Sequence, residues 1–207
     1  SDGTASDTMD VVITVTGAND APSAGSDGTG AVTEDATTST ATGSITATDA
    51  DDAAAFTYSG DATGTYGAIA VDSAGAWTYT LSNSDADTTA LDAGDSVSDT
   101  FTLTVSDGTA SDSMDVVITV SGADDDVSAG ADQTGAVTED ATATTATGTV
   151  VASDADADSS LSYAIGTAAG TYGSLAMSGA SWTYTIDNAD ADTTALDAGD
   201  APTEVFT

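Results

Sequence analysis

The sequence returns on itself 105 residues later, and that period limits the fold before any single residue does. Trp77-Thr78-Tyr79-Thr80 comes back as Trp182-Thr183-Tyr184-Thr185, and Val32-Thr33-Glu34-Asp35-Ala36 as Val137-Thr138-Glu139-Asp140-Ala141. The stretch 85–95 recurs intact as 190–200, Ser1–Asp20 aligns with Ser106–Asp125, and Thr65-Tyr66-Gly67 recurs one step off as Thr171-Tyr172-Gly173. A solenoid turn is far shorter than this, whereas a β-sandwich domain needs about 100 residues. The register assigns residues 1–20 to the last strand and linker of a preceding repeat. Residues 21–125 form a complete repeat, and residues 126–207 a repeat lacking its last strands. One explanation is a fragment cut from a long tandem array. The other is a self-assembling filament subunit, in which Ser1–Val15 of one copy completes the open sandwich of the next by strand donation.

Within the complete repeat, apolar residues alternate with small polar ones. Trp77, Tyr79 and Leu81 share one face while Thr78 and Thr80 share the other. Phe101, Leu103 and Val105 alternate with Thr102 and Thr104, and Met114, Val116, Ile118 and Val120 fall on one side of the last strand. Period-two alternation with threonine outward is the pattern of a half-buried antiparallel strand. Shorter strands are expected over 30–35, 43–48, 55–59 and 66–71, with Gly-, Asp- and Ser-rich turns between them. The expected fold is all-β, a tandem of immunoglobulin-like Greek-key sandwiches. Only 85–91 is expected to coil, capped by Asp85 or Asp87. A core role suits Trp77 and Tyr79 better than a sugar-stacking platform, since both share a face with Leu81. The Thr-rich outer faces offer sites for O-linked glycan, and no Asn-X-Ser/Thr sequon exists.

The chain has no Lys, Arg, His or Cys, and a formal charge of −35. Phosphate recognition needs cationic side chains, so nucleic acid and anionic lipid are excluded as partners. No apolar run reaches the ~20 residues of a membrane span. Enzyme chemistry is disfavoured: there is no histidine base and no Cys or Lys nucleophile. Self-repulsion of this size opposes a compact state unless cations neutralise it, from bound metal or a saline medium. The absence of Cys suits either a reducing compartment or a secreted protein that uses metal in place of disulfides. The absence of Lys and Arg denies trypsin-like proteases a cleavage site.

Oxygen-only chemistry points to calcium, which takes about 6–8 oxygen ligands from flexible loops, whereas zinc and copper favour His and Cys. The acids gather in four places. Two are the strand-end pairs Glu34-Asp35 and Glu139-Asp140, and the Asp-X-Asp runs Asp49-Ala50-Asp51-Asp52 and Asp154-Ala155-Asp156-Ala157-Asp158. The others are the loops Asp92–Asp95 and Asp197–Asp200, and the linkers Asn19-Asp20 and Asp124-Asp125-Asp126. Candidate Ca²⁺ ligands are therefore Asn19, Asp20, Glu34, Asp35, Asp49, Asp51, Asp92, Asp95, Asp124, Asp125, Asp126, Glu139, Asp154, Asp156, Asp197 and Asp200. Asp-X-Asp spacing brings two carboxylates to one ion where the chain turns. No twelve-residue EF-hand loop is present.

Several of these stretches resemble known repeats. Ile-Thr-Val-Thr-Gly-Ala-Asn-Asp-Ala-Pro (13–22) is similar to the closing strand and Asp-X-Asn-Asp-Asn linker of cadherin repeats. Ala-Thr-Asp-Ala-Asp-Asp (47–52) resembles their Asp-X-Asp motif. Val-Thr-Glu-Asp (32–35) stands where they carry a calcium-binding Glu, and Leu-Asp-Ala-Gly-Asp (91–95) where they carry Leu-Asp-Arg-Glu. The Gly-Thr-Tyr-Gly, Trp-Thr-Tyr-Thr-Leu and Asp-Thr-Phe-Thr-Leu-Thr-Val-Ser-Asp-Gly elements resemble the VCBS repeats of giant bacterial surface adhesins secreted by type I systems. The resemblance implies cadherin-like sandwiches in a long extender stiffened by Ca²⁺ between domains. It implies that Glu34, Asp92, Asp124 and Asp125 share ions with Asp154 and Asp156 of the next domain, and that Asn19 and Asp20 share them with Asp49 and Asp51. Two departures stand out: Gly17 and Gly122 replace the first linker Asp, and Asp95 sits one place late for the family Glu. The function expected is a non-enzymatic extracellular spacer at a bacterial surface, in a marine or saline setting. Its partners would be neighbouring repeats, joined head to tail. A glycan-binding module is the alternative beside strand donation.

Overall fold

The computed structural model describes residues 3–51, 54–156 and 160–207. Asp52 of the first Asp-X-Asp run, Ala157 and Asp158 of the second, and the first two residues of the proposed donor strand lie outside them. Nearly all regular structure is β, and the chain divides into two compact units. Unit 1 comprises Ser1–Asn83 with Ser96–Ser121; unit 2 comprises Ser84–Asp95 with Gly122–Thr207.

Unit 1 is a two-sheet sandwich. One sheet joins β1 (Gly28–Thr33), β8 (Ser111–Ser121), β7 (Ser96–Ser106) and β3 (Thr57–Ser59), in that order; the other joins β2 (Thr40–Ser44), β6 (Ala76–Leu81), β5 (Gly67–Val71) and β4 (Ala62–Thr63). β7 and β8 pair antiparallel over their full length, Ser96 opposite Ser121 and Ser106 opposite Ser111, so two eleven-residue strands form the spine. β1 lies parallel to β8 on its other side, Gly28 opposite Val116 and Thr33 opposite Ser121. The alternation expected from the sequence sorts the side chains. Phe101, Leu103, Val105, Met114, Val116, Ile118 and Val120 of one sheet, and Ile69, Trp77, Tyr79 and Leu81 of the other, are buried. Burying each such side chain is worth roughly 1.5–3 kcal/mol, so this face is the main source of stability. Tyr79 meets Phe101 across the sheets, ring centroids 5.8 Å apart. Trp77 and Tyr79 are core residues and offer no sugar platform.

Several strands differ from expectation: β1 runs over Gly28–Thr33 rather than 30–35, β3 is only Thr57–Ser59 of 55–59, and β4 was not expected. The strand expected over 43–48 runs instead over Thr40–Ser44, because its partner β6 offers a ladder only as far as Ala76 opposite Ser44. The next residues bond elsewhere, Ile45 N–H to the Gly75 carbonyl and Thr48 with Ser23 in a single bridge. β7 begins at Ser96, four residues earlier than its apolar run suggests, since β8 continues to Ser121 opposite it.

Unit 2 repeats part of this plan. β10 (Thr145–Thr149), β13 (Ser181–Ile186) and β12 (Gly173–Ser178) form a three-stranded sheet, and β9 (Ser128–Ala129) pairs with β11 (Ala152–Ser153). Trp182 and Ile186 are buried. The coil expected over 85–91 forms only turns there, and a short helix forms in the later copy. α1 (Ala191–Thr194) is capped by Asp190, whose carboxylate accepts the Asp192 N–H at 2.8 Å. In the earlier copy Asp85 does the same for Asp87 at 3.0 Å. Residues 133–138 (Gln-Thr-Gly-Ala-Val-Thr) copy β1 at five of six positions yet carry no strand. β1 is a strand only by pairing with β8, and among the described residues unit 2 has no counterpart of β8. The same apolar pattern does occur in Met9–Val15, where it lies in no strand and its five large apolar residues are 70 to 88% exposed. No helix among the described residues is long and apolar enough to cross a membrane.

Candidate metal centre

Each unit ties its linker to its Asp-X-Asp run through the same pair of hydrogen bonds. In unit 1 the Asp49 carboxylate accepts the Asp51 N–H at 2.8 Å, and the Asp51 carboxylate accepts the Asp20 N–H at 2.9 Å. In unit 2 Asp154 accepts from Asp156 at 3.1 Å and Asp156 from Asp125 at 2.9 Å. An aspartate can do this because its side chain is short: one oxygen folds back two residues along the chain, the local turn that Asp favours. The Asp-X-Asp run is therefore shaped by its own backbone, and its second carboxylate holds the linker.

The chemistry of this knot asks for a cation. Asp49 Oδ2 is buried without a hydrogen-bond partner. A buried ionised oxygen costs several kcal/mol unless it is paired. No cationic side chain can pair it, for there is no Lys, Arg or His anywhere. All neighbouring donors to metal would be oxygen, which suits a hard cation such as Ca²⁺. Among the described residues, however, no group of three or more acids is drawn close enough to hold an ion by itself. The carboxylates are arranged around backbone N–H groups, so an ion would have to draw the side chains together.

One acid at this pole escaped the sequence reading. Asp107, in the turn between β7 and β8, takes the Asn19 side-chain amide at 3.0 Å and the Thr109 and Ala110 N–H groups at 2.6 and 2.7 Å. The Ala110 and Thr109 amides, with Asn19, hold its carboxyl below the usual carboxylate range. Asp112 is lowered likewise, chiefly by the Ala24 N–H at 2.9 Å. Ser-Asp-Gly reads as a generic turn, and only the fold returns it to the linker 88 residues earlier.

The other sequence candidates divide. Glu34 is only 3% exposed, and its N–H donates to the Ser121 carbonyl at 3.0 Å. Glu139 is half-buried, Asp92 is half-buried, and Asp35, Asp124 and Asp126 are exposed. Asp35 turns the chain at a positive φ of 51°. Asp95 and Asp200 are turned inward on their own loops. Asp95 accepts the Asp92 N–H at 3.3 Å and Asp200 the Asp197 N–H at 3.0 Å, each closing a turn. Gly122 also has a local cause. Its N–H donates to the Asp95 carbonyl at 3.0 Å, and a Cβ there would overlap the Leu91 and Asp92 carbonyls. The loop presses so closely on this linker position that no side chain fits.

A second constellation lies in the interior. Asp99 on β7 is 5% exposed, and it accepts three bonds: Thr65 N–H at 2.9 Å, Tyr66 N–H at 3.1 Å and the Tyr79 hydroxyl at 3.0 Å. Unit 2 repeats the clasp with a longer acid. Glu204 accepts the Tyr172 N–H at 2.8 Å and the Tyr184 hydroxyl at 2.7 Å. Burial, with the carboxylate beside it, holds each tyrosine hydroxyl far above its ordinary pKa. The repeated Gly-Thr-Tyr-Gly now has a reason. A Cβ on Gly64 would fall 2.5 Å from the Asp99 carboxyl and one on Gly67 2.6 Å from the Tyr79 ring and hydroxyl.

Residues 19–122 match the family model described as bacterial cadherin-like domain. The chain belongs to the bacterial cadherin-like domain family. Among solved structures, this cadherin-like chain is similar to protocadherin gamma B7 extracellular cadherin domains 1–4, at 17% identity and TM-score 0.45, covering 86% of this chain and 44% of that one. It is also similar to mouse cadherin-23 EC22–24, at 18% identity and TM-score 0.43, covering 78% of this chain and 51% of that one. It thus spans about half the length of these cadherin structures. No curated protein matches the cadherin-like chain in sequence.

Proposed function

We propose that the chain is an extracellular spacer: tandem cadherin-like repeats, 21–125 and 126–207, whose junctions are stiffened by Ca²⁺. It would work within a repetitive adhesin of the VCBS kind at a bacterial surface, with neighbouring repeats as its partners and no enzymatic role. The observation that carries this reading is the buried, unpartnered Asp49 Oδ2 in a chain without a single basic side chain. A divalent ion removes that penalty and neutralises part of the −35 charge that opposes compaction. It also adds bonds at carboxylates that already grip the linker, so the linker stiffens where it would otherwise swing.

Asn19, Asp20, Asp49, Asp51 and Asp107 would hold the ion at the head of the first repeat. Asp124, Asp125, Asp154 and Asp156 would do so at the second, joined by Glu34 and Asp92 from the preceding repeat. Asp95 and Asp200 serve as turn closers in this reading, and Asp35, Asp126, Glu139 and Asp197 are peripheral ligands. An acid-only surface suits a saline medium, where counter-ions are abundant.

The test is a calcium titration of the whole chain, followed by calorimetry and small-angle scattering. Stability should rise with free Ca²⁺ by mass action, about 2.7 kcal/mol at a hundred times the dissociation constant. The maximum dimension should become sharper and longer than in chelator. Asp49→Asn should weaken binding at least tenfold while leaving the β circular dichroism intact. Identical melting and scattering in calcium and chelator, at matched ionic strength, would refute the proposal.

A further inference from the structure

The first and last strands of unit 1 lie side by side and point the same way. β1 pairs parallel with β8, from Gly28 opposite Val116 to Thr33 opposite Ser121. The chain reaches β1 at its Gly28 end and leaves β8 at its Ser121 end, so the entering and leaving segments stand at opposite ends of one ladder. Antiparallel pairing would have placed both at the same end. Tension along the chain therefore drags β1 toward Gly28 and β8 toward Ser121. The bonds between strands run across them, so this pull loads the whole ladder together and not one bond after another.

The ladder is lengthened at both ends. Past Thr33, the Glu34 N–H donates to the Ser121 carbonyl at 3.0 Å. Before Gly28, two carboxylates continue the fastening where regular pairing stops. Asp27 accepts the Asp115 N–H at 2.9 Å, and Asp112 accepts the Ala24 N–H at 2.9 Å. Earlier still, Ser23 exchanges two backbone bonds with Thr48, at 2.7 and 3.0 Å. Asp27 and Asp112 are exposed and stand outside the candidate metal ligands. Their work is to hold the entering segment to β8.

The ladder is also covered on its inner side. Gly28 and Gly30 lie against the Trp77 ring: a Cβ on either would meet it at 3.6 Å, and the Gly30 Cβ would fall 2.8 Å from Ile118. Glycine weakens a strand by itself, and here it lets the strand come close enough for the indole to lie over it. Val32, 6% exposed, continues the cover. A hydrogen bond kept from water is electrostatically stronger than one in it.

We propose that unit 1 bears tension, with the β1–β8 pairing as a shear clamp between the segments that enter and leave the repeat. Residues 23–34 must slide along β8 as one piece before the core opens. The clamp rests on the spacer reading only for the source of the pull. It is made of bonds within unit 1 and needs no metal.

The test is single-molecule stretching of the 207-residue chain in chelator and concentrated sodium chloride, so the outcome does not depend on calcium. The chain has no cysteine, and Ala21, Ala36 and Val127 are exposed, so pairs of them can carry the handles. Ala21→Cys/Val127→Cys pulls the clamp in shear. Ala36→Cys/Val127→Cys draws the Thr33 end of β1 from the Ser121 end of β8 and peels the same bonds in turn. The shear pair should give one rupture that releases about 340 Å of chain, at roughly 3.5 Å per residue from Ala24 to Ser121. Its force should be several-fold above that of the peeling pair. Asp27→Ala/Asp112→Ala should lower the shear force and leave the peeling force unchanged, because peeling reaches those bonds last. Equal forces in the two directions, or a double variant weakened alike in both, would overturn the clamp and leave the calcium titration untouched.

Discussion

Tyr79→Phe removes one hydroxyl and leaves the ring against Phe101, so it isolates the clasp on Asp99. The carboxylate keeps its bonds from Thr65 and Tyr66 but loses the third, at 3.0 Å, in a site where Asp99 is 5% exposed. A hydrogen bond to a charged group contributes about 1.5–3 kcal/mol. With two donors retained, about 2 kcal/mol is expected. For a domain of roughly 100 residues each kcal/mol moves the melting point by about 4–8 °C, so unit 1 should melt roughly 10 °C lower. Two units need not melt together, so the readout must be local. Trp77 lies in unit 1 and Trp182 in unit 2; in a Trp182→Phe background, fluorescence follows unit 1 alone. Urea melts at neutral pH and fixed free Ca²⁺ would compare Tyr79→Phe, Asp99→Asn and the double variant. The pair should couple by more than 1 kcal/mol, since each change breaks the same bond. A Tyr79→Phe loss below about 0.5 kcal/mol, or additive behaviour, would show that the hydroxyl does not hold the acid and that the glycines flanking Thr65-Tyr66 need another explanation.

Three further outcomes are expected. Gly122→Asp should destabilise by about 1–3 kcal/mol by driving a side chain into the Leu91 and Asp92 carbonyls, seen as a lower urea midpoint. Tyr79 and Tyr184 have folded pKa values above the ordinary tyrosine value of about 10. Their contribution is complete below pH ~10 and is lost as pH rises beyond it, so the melting point should fall in alkali and fall less in Tyr79→Phe. Asp107 and Asp112 have depressed folded values, so their contribution is present above pH ~4 and disappears below it. Relief of charge repulsion acts in the opposite direction over the same range, and the difference between the native chain and Asp107→Asn separates the two.

The sequence located the acid runs, as metal ligands, and a cap at Asp85 or Asp87. What the structure adds there is local: the Asp-X-Asp run and the Asp92–Asp95 turn fold their carboxylates onto backbone N–H groups within four residues, and Asp85 bonds the Asp87 N–H. Asp107, Asp99 and Glu204 were not legible. Each looks like an ordinary polar residue, and each acquires its role from partners brought near by strand pairing, 88 residues away for Asp107. The motif Gly-Thr-Tyr-Gly was visible as a repeat but not as a clasp. A repeated glycine announces close approach without naming what approaches.

Alternation of apolar and small residues, cation-free chemistry and a 105-residue period were settled by the sequence alone: an all-β chain of repeats whose charges only external cations can balance. Tertiary structure decided which copy of a strand becomes one. Gly28–Thr33 is a strand and 133–138, nearly the same residues, is not; Met114–Val120 is core, and Met9–Val15 stands in water. A helix carries its hydrogen-bond partners within itself, but a β-strand takes them from another segment. Identical residues therefore fold or stay open according to what lies beside them.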